Sequence, residues 1–287
     1  MAETIITPEL VASWHHTRLA DSHKGDYGRA LLVAGSRGMM GAALLSARAC
    51  MRSGVGLLTV RVPDCGYDIL QLGIPEAKCD CDPCNLHHTD IRIPADTEVL
   101  AIGPGLGQHP DTQAALHTFL LQQRSSEKPM LPMVLDADAL NILSLHPEWL
   151  SLLPAGTILT PHPGEMKRLG LDPYELAERY QLIIVLKGHQ TKIIAPSATA
   201  DGTTYINTLH GNPGMAVGGS GDVLTGIILA LLAQHYTPLQ SAVLGVWYHA
   251  LAADLALADH NSVESLLPSD IIAHLGEAFR GKNQDCG

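Results

Sequence analysis

Six short aliphatic runs punctuate the chain at residues 30–34 (ALLVA), 57–62 (LLTVRV), 99–102 (VLAI), 133–135 (MVL), 157–159 (TIL) and 182–186 (LIIVL). Runs this short and this continuously apolar fit strands covered on both faces, and parallel strands need long crossovers between them. Helical patterns supply those crossovers at residues 42–52, 111–123, 139–145, 165–169 and 173–180, with further helices at 222–234, 238–259 and 268–279. Residues 192–195 and 204–207 read as a later hairpin-like pair. The fold class that follows is α/β, a mainly parallel central sheet with helices on both faces. No repeat, low-complexity tract or linker interrupts the pattern, so residues 1–287 are expected to form one domain.

Composition removes several function classes. Hydrophobic residues make up 46% of the chain, enough for a large core, and the net charge of −11 with no Lys/Arg-rich run argues against a nucleic-acid partner. Residues 1–14 lack the basic and apolar segments of a secretory signal. The longest aliphatic stretch, 223–233, is far short of the ~20 residues that span a bilayer. No membrane partner is expected, and the expected location is the cytoplasm. Cys79, Cys81 and Cys84 cluster in CDCDPC with His87 and His88 close behind, while Cys50, Cys65 and Cys286 are isolated. Thiolates and imidazoles are zinc donors, but no second CxxC completes the set. The expectation is a polar surface connection with reduced thiols, away from the chemistry and without zinc.

The chemistry-bearing residues follow the strands. GSRGMMG (35–41), GPGLG (103–107), DADALN (136–141), TPHPGE (160–165) and KGHQT (187–191) each succeed one of the runs. If the strands are parallel, all five loops leave the same carboxyl edge, where open α/β sheets bind ligands. There is no GxxxxGK[ST] phosphate loop, and GxxGxxG at 35–41 is a poor dinucleotide fingerprint.

The strongest local signal is GNPGMAVGGSGDVLTG at 211–226. Gly218, Gly219, Ser220 and Gly221 form a bendable backbone before a helix, whose first N–H groups can hold an anion. Asp222 would stand beside that anion as a base; the alternative is a helix cap, which needs no cluster of glycines. Lys187 and Gly188 are then partners for a nucleotide phosphate. His162, held between Pro161 and Pro163, lies on the same edge, and Asp136 with Asp138 either start a helix or approach a magnesium ion.

Together, HKGDYGRALLVAGS, GAALLSARACMRSGVGLLTV, GPGLG, LDADALN, LTPHPGE, KGHQT and GNPGMAVGGSGDVLTG resemble the kinase-like domain of the NAD(P)H-hydrate repair enzymes, in order from about His23 to about Asp254. The resemblance implies a ribokinase-like fold and a stand-alone dehydratase paired with a separate epimerase. It implies NADH-hydrate and NADPH-hydrate as substrates, ADP or ATP as co-substrate, Mg2+ and a homotetramer. By the family pattern Ala42, Gly105, Gly107 and His162 line the hydrate site with Asp222, while Lys187, Gly188, His189, Gln190, Thr191 and Gly221 hold the nucleotide. Gly218, Gly219, Ser220 and Gly221 form the anion hole and Asp222 is the catalytic base. Val217 and His210 depart from the usual loop residues. The rival readings are a small-molecule alcohol kinase of the same fold and a non-catalytic nucleotide-binding regulator.

Overall fold

Alternate residues of the aliphatic runs face opposite ways, and each set finds its own layer of helices. Ala30 and Leu32, Leu58 and Val60, Ala101 and Val185 enter one buried core, while Leu31 and Val33, Leu100 and Ile102, Met133 and Leu135 enter the other. The computed structural model describes residues 2–126, 129–200, 203–259 and 261–280, and within them ten strands make one sheet. They are β1 (Glu3–Ile5), β2 (Arg29–Val33), β3 (Leu57–Pro63), β4 (Lys78–Asp82), β5 (Val99–Ile102), β6 (Met133–Leu135), β7 (Ile158–Leu159), β8 (Ile183–Leu186), β9 (Lys192–Ile194) and β10 (Thr204–Ile206). The helices are α1 (Pro8–Trp14), α2 (Met40–Arg52), α3 (Tyr67–Gly73), α4 (Pro110–Ser125), α5 (Asp138–Leu145), α6 (Pro163–Leu169), α7 (Pro173–Tyr180), α8 (Ser197–Ala200), α9 (Ser220–Ala233), α10 (Pro238–Asp259) and α11 (Pro268–Arg280).

The strand order is β1-β10-β9-β8-β7-β6-β5-β2-β3-β4. All neighbours pair in parallel except β9, which is antiparallel to both β8 and β10. The first core packs under α2, α9, α10 and α11, and the second under α4, α5, α6 and α7. Helix α9 is apolar all round because it is enclosed: twelve of its residues are buried, and Gly226 lets the Ser46 carbonyl of α2 approach where a Cβ would stand. Helix α10, 22 residues long, is apolar and long enough to cross a bilayer, yet 72% of its most apolar window lies buried inside the fold.

Five elements depart from the sequence expectation, among them the short α8 between β9 and β10. β1 and α1 precede the first expected strand, α3 follows β3, and CDCDPC does not form a loose connection. Its residues 79–82 belong to the edge strand β4, parallel to β3. Buried Arg61 on β3 makes this possible by pairing with Asp80 (2.6 Å), Asp82 (3.3 Å) and Asp90. Cys286 lies outside the described residues.

Candidate active site

The five chemistry-bearing loops succeed β8, β7, β6, β5 and β2, which are consecutive and mutually parallel in the sheet. They therefore stand side by side in the order KGHQT, TPHPGE, DADALN, GPGLG, GSRGMMG. Backbone bonds join each to its neighbour: Lys187 N–H to Pro161 O, Thr160 to Leu135, Asp136 to Ile102, Gly103 to Val33, and Gly35 to Pro104. β10 runs in the same direction as β8, so the Gly-rich segment before α9 starts from the same edge.

Gly219 takes a φ of +96° at the N-cap of α9, a left-handed turn that an L side chain resists. No side chain caps this helix, so Asp222, in its first turn, is not a cap. The Ser220 amide turns back to Val217 O at 3.3 Å, leaving the first-turn amides of Gly221 and Asp222 for a ligand. Ser220 Oγ lies 3.3 Å from Nε2 of buried His249, while Ser46 Oγ on α2 donates to the Asp222 carbonyl at 2.9 Å. A Cβ on Gly221 would meet Lys187 Nζ at 3.2 Å and Asp136 Oδ2 at 3.8 Å, which places the anion loop against the DADALN and KGHQT loops.

Three carboxylates gather there. Lys187 Nζ lies 2.9 Å from Asp136 Oδ1 and 3.8 Å from Glu165 Oε2, and Thr225 on α9 donates to Asp136 Oδ2 at 2.7 Å. Burial pushes Asp222 up to about 7; Asp136, Asp138 and Glu165 act in the same direction and Lys187 opposes them. Burial likewise brings His249 down to about 4, so it stays neutral beside Lys187. A carboxyl ionising near neutrality, with no hydrogen bond of its own among the described residues, is equipped to take a proton from a bound hydroxyl.

Three of the expected hydrate residues, Ala42, Gly105 and Gly107, form a second cluster, while His162 stands with Glu165. A Cβ on Gly105 would touch Ala42 Cβ at 3.0 Å, and one on Gly107 would approach Ser36 Oγ at 3.4 Å. Ser36 Oγ donates to Gly105 O, and Gly107 N–H donates to Asp138 Oδ2 at 2.9 Å. Asp138 thus holds the GPGLG loop as well as opening α5. His162 caps α6: its Nδ1 accepts from Gly164 and Glu165, and the Glu165 carboxylate accepts from the His162 N–H. Helix α6 starts at Pro163, two residues before the expected position. Glu165, which sequence reasoning passed over, therefore touches both His162 and Lys187.

The other expected residues make few contacts. Gly188, His189 and Gln190 are exposed at the β8–β9 hairpin tip, and no side-chain hydrogen bond ties them to the anion loop among the described residues. Thr191 bonds back to Gly188 O at 3.3 Å. Gly218 is exposed with open space around it. The placement of the cysteine segment away from the chemistry is corrected: buried His88 donates from Nε2 to Ala34 O and Gly35 O (3.2 and 3.0 Å), and Leu86 O accepts from Arg37 N–H. Burial brings His88 down to about 4, leaving a neutral ring that braces the GSRGMMG loop. Nothing in the spacing of CDCDPC signals that role, because the carbonyls it meets belong to a strand fifty residues earlier.

The family model for NAD(P)H-hydrate dehydratase matches residues 30–276, spanning every one of these loops. The chain belongs to the NAD(P)H-hydrate dehydratase family. It is 36% identical to the ADP-dependent (S)-NAD(P)H-hydrate dehydratase of Bacillus subtilis, over 95% of this chain and 98% of that one. A crystal structure of the B. subtilis ADP/ATP-dependent NAD(P)H-hydrate dehydratase, co-crystallised with ATP and Mg2+, superposes with a TM-score of 0.79 at 33% identity, covering 96% and 98% of the two chains. A ribokinase-like superfamily protein of Enterococcus faecalis superposes with a TM-score of 0.82 at 28% identity, over 98% and 97%. The fold is ribokinase-like. The chain spans about half the length of the bifunctional NAD(P)H-hydrate repair enzymes it also matches, such as that of Vibrio cholerae (41% identity, 91% of this chain, 51% of that one).

Val217 and His210, the two residues expected to depart from the usual loop residues, precede the anion loop. Val217 is 38% exposed. His210 Nδ1 lies 3.1 Å from Asp254 Oδ2, an oxygen that also accepts from Gly211 N–H, so it fastens the loop to α10.

Proposed function

We propose that this member of the dehydratase family returns hydrated NADH and NADPH to the reduced cofactors at the expense of ADP or ATP. The observation that carries the reading is Asp222: an uncapped carboxyl, raised to about 7, beside the first-turn amides of a glycine-built helix start and across from Lys187. Asp222 takes the proton of the C6 hydroxyl, and the hydroxyl oxygen attacks the terminal phosphorus of the nucleotide. The Gly221 and Asp222 amides offset charge on the transferring phosphoryl group. AMP leaves when ADP is used, ADP when ATP is used. The ring nitrogen's lone pair then breaks the C6–O bond, releasing inorganic phosphate, and loss of a C5 proton restores the dihydronicotinamide.

Lys187 and Gly221 face the nucleotide in this reading, with Gly188, His189, Gln190 and Thr191 closing over it from the hairpin tip. Ala42, Gly105, Gly107 and His162 face the hydrate. Asp136, Glu165 and Asp222 set three carboxylates against one ammonium where a polyphosphate must bind, a charge balance and an oxygen-donor set that suit Mg2+. Asp136 and Glu165 would hold it, and the ion would neutralise phosphate charge during transfer. A cytoplasmic homotetramer whose activity is paired with that of an NAD(P)H-hydrate epimerase belongs to the same reading.

Purified protein incubated with hydrated NADH and either nucleotide tests it. The expected result is recovery of reduced-nicotinamide absorbance with one inorganic phosphate released per NADH. A phosphorylated hydrate that accumulates without NADH would instead make this a kinase, and binding without turnover would make it a regulator.

A further inference from the structure

The cysteine segment places two of its donors beside two others that come from the start of α4. His87 Nε2 lies 3.1 Å from Asp111 Oδ2 and 3.8 Å from Cys84 Sγ, and His109 Nδ1 lies 3.6 Å from the same Asp111 oxygen. The metal-binding atoms of His87, His109 and Asp111 all fall within 4.8 Å of one another. Ligands bonded at about 2.0–2.3 Å to a tetrahedral zinc stand roughly 3.3–3.6 Å apart, so the His87–Asp111 and His109–Asp111 separations are close to edges of such a tetrahedron, while Cys84 touches His87 and lies just outside that compact group of three. We propose that Cys84, His87, His109 and Asp111 form a zinc site, distinct from the nucleotide and hydrate loops.

The donor set suits the metal. One thiolate and one carboxylate balance the charge of a divalent ion, two imidazoles complete four-coordination, and a mixed S/N/O set selects zinc over magnesium or calcium. Access is open, since the side chains of His109 and Asp111 are 49% and 59% exposed. Two rearrangements are required: the Cys84 thiol must close in on the other three donors, and His109 must turn. The His87 and His109 rings stack at 3.7 Å and His109 Nδ1 accepts from the Asp111 N–H as the N-cap of α4, so His109 must leave both the stack and the cap to point that nitrogen at a shared ion. Cys79 and Cys81 do not belong to the set: their Sγ atoms face each other at 3.6 Å, packed against the core, and burial pushes the Cys79 thiol up to about 12. The local count of cysteines that argues against zinc thus omits two ligands from elsewhere in the chain.

The position gives the site a consequence. His87 adjoins His88, which braces the GSRGMMG loop, and His109 follows Gly107 of the GPGLG loop by two residues. A zinc ion there would clasp together the outer supports of both loops that meet at Ala42 and Gly105.

The test uses the full 287-residue chain, stripped with chelator and titrated with zinc and, in parallel, with cobalt as a spectroscopic probe. One equivalent of zinc is expected to bind, and cobalt added to the metal-free protein should give a tetrahedral spectrum with a thiolate charge-transfer band that added zinc abolishes. Cys84→Ser should abolish that band while Cys79→Ser keeps it. His109→Ala and Asp111→Asn should weaken zinc by at least roughly tenfold, the lower limit for disturbing a metal's ligand shell. Circular dichroism of each variant checks that the fold persists; all four positions sit in or beside surface loops, and a protein that stays folded but loses only the metal supports the site. Failure to bind one equivalent, a cobalt spectrum without the thiolate band, or affinity unchanged in His109→Ala and Asp111→Asn overturns the proposal, whatever the protein does to hydrated NADH.

Discussion

Lys187 Nζ lies 2.9 Å from Asp136 Oδ1 and reaches toward Glu165 at 3.8 Å, so one ammonium from the end of β8 holds carboxylates carried on the two preceding loops. Burial alone would depress this lysine, but Asp136 and Glu165 keep its pKa above the ordinary value. Removing one member of such a pair leaves a buried charge without its partner. Lys187→Met should therefore cost about 3 kcal/mol of stability in urea unfolding at pH 7, in addition to weakening nucleotide binding. Lys187→Met combined with Asp136→Asn should recover much of that loss without recovering nucleotide affinity.

Asp222→Asn should cut turnover by roughly two to four orders of magnitude, the range for a lost general base, with nucleotide affinity kept. It should also stabilise the protein at alkaline pH. The folded-state pKa of about 7 lies above the ordinary aspartate value, so the folded protein retains a proton that the unfolded chain releases. Stability from this group is therefore full at low pH and declines as pH rises through about 7. The Asn variant should exceed the wild type by on the order of 4 kcal/mol at pH 8, with the difference vanishing below about pH 4. Denaturant melts at the two pH values check this.

The same shift sets the pH profile. In the wild type, kcat/KM should rise with pH through about 7 as Asp222 ionises. Glu165 raises Asp222 and Lys187 lowers it. Glu165→Gln should accordingly move the midpoint to lower pH, and Lys187→Met should move it higher. Identical midpoints in all three proteins would mean that another group governs the profile.

His162 joins capping to substrate placement. His162→Ala removes the acceptor for the Gly164 and Glu165 amides, a loss worth about 1 kcal/mol. KM for the hydrate should rise more than the dissociation constant of ADP or ATP. Calorimetric titration of each ligand separates the two effects, and equal weakening of both would show that the edge is not divided between nucleotide and hydrate.

Much of this edge is legible in the sequence because each loop announces itself locally. A Gly-rich or polar motif after a short aliphatic run needs only the parallel sheet to bring it beside the others, and the order β8-β7-β6-β5-β2 does so. Asp222 is legible for the same reason, since its glycines are its neighbours in the chain. Glu165 reads as a helix residue until the fold brings Lys187 to it, and Asp138 reads as a helix start until Gly107 donates to it. β4 is hidden because its sequence, KCDCD, resembles a polar turn; its acids are tolerated only because Arg61 is buried beside them. His88, His249 and the His109–Asp111 pair are hidden in the same way, as their partners lie 24 or more residues distant.

The account centres on phosphorylation of the hydrate's own hydroxyl, with Asp222 as the base, followed by loss of phosphate. Hydrated NADH carrying 18O in the C6 hydroxyl tests that directly, by mass spectrometry of the inorganic phosphate formed with unlabelled ADP or ATP. The expected result is one 18O atom in each phosphate released, formed in step with NADH and lost in Asp222→Asn. Unlabelled phosphate, with the 18O recovered in water, would mean that nucleotide hydrolysis and dehydration are separate events and would contradict the account.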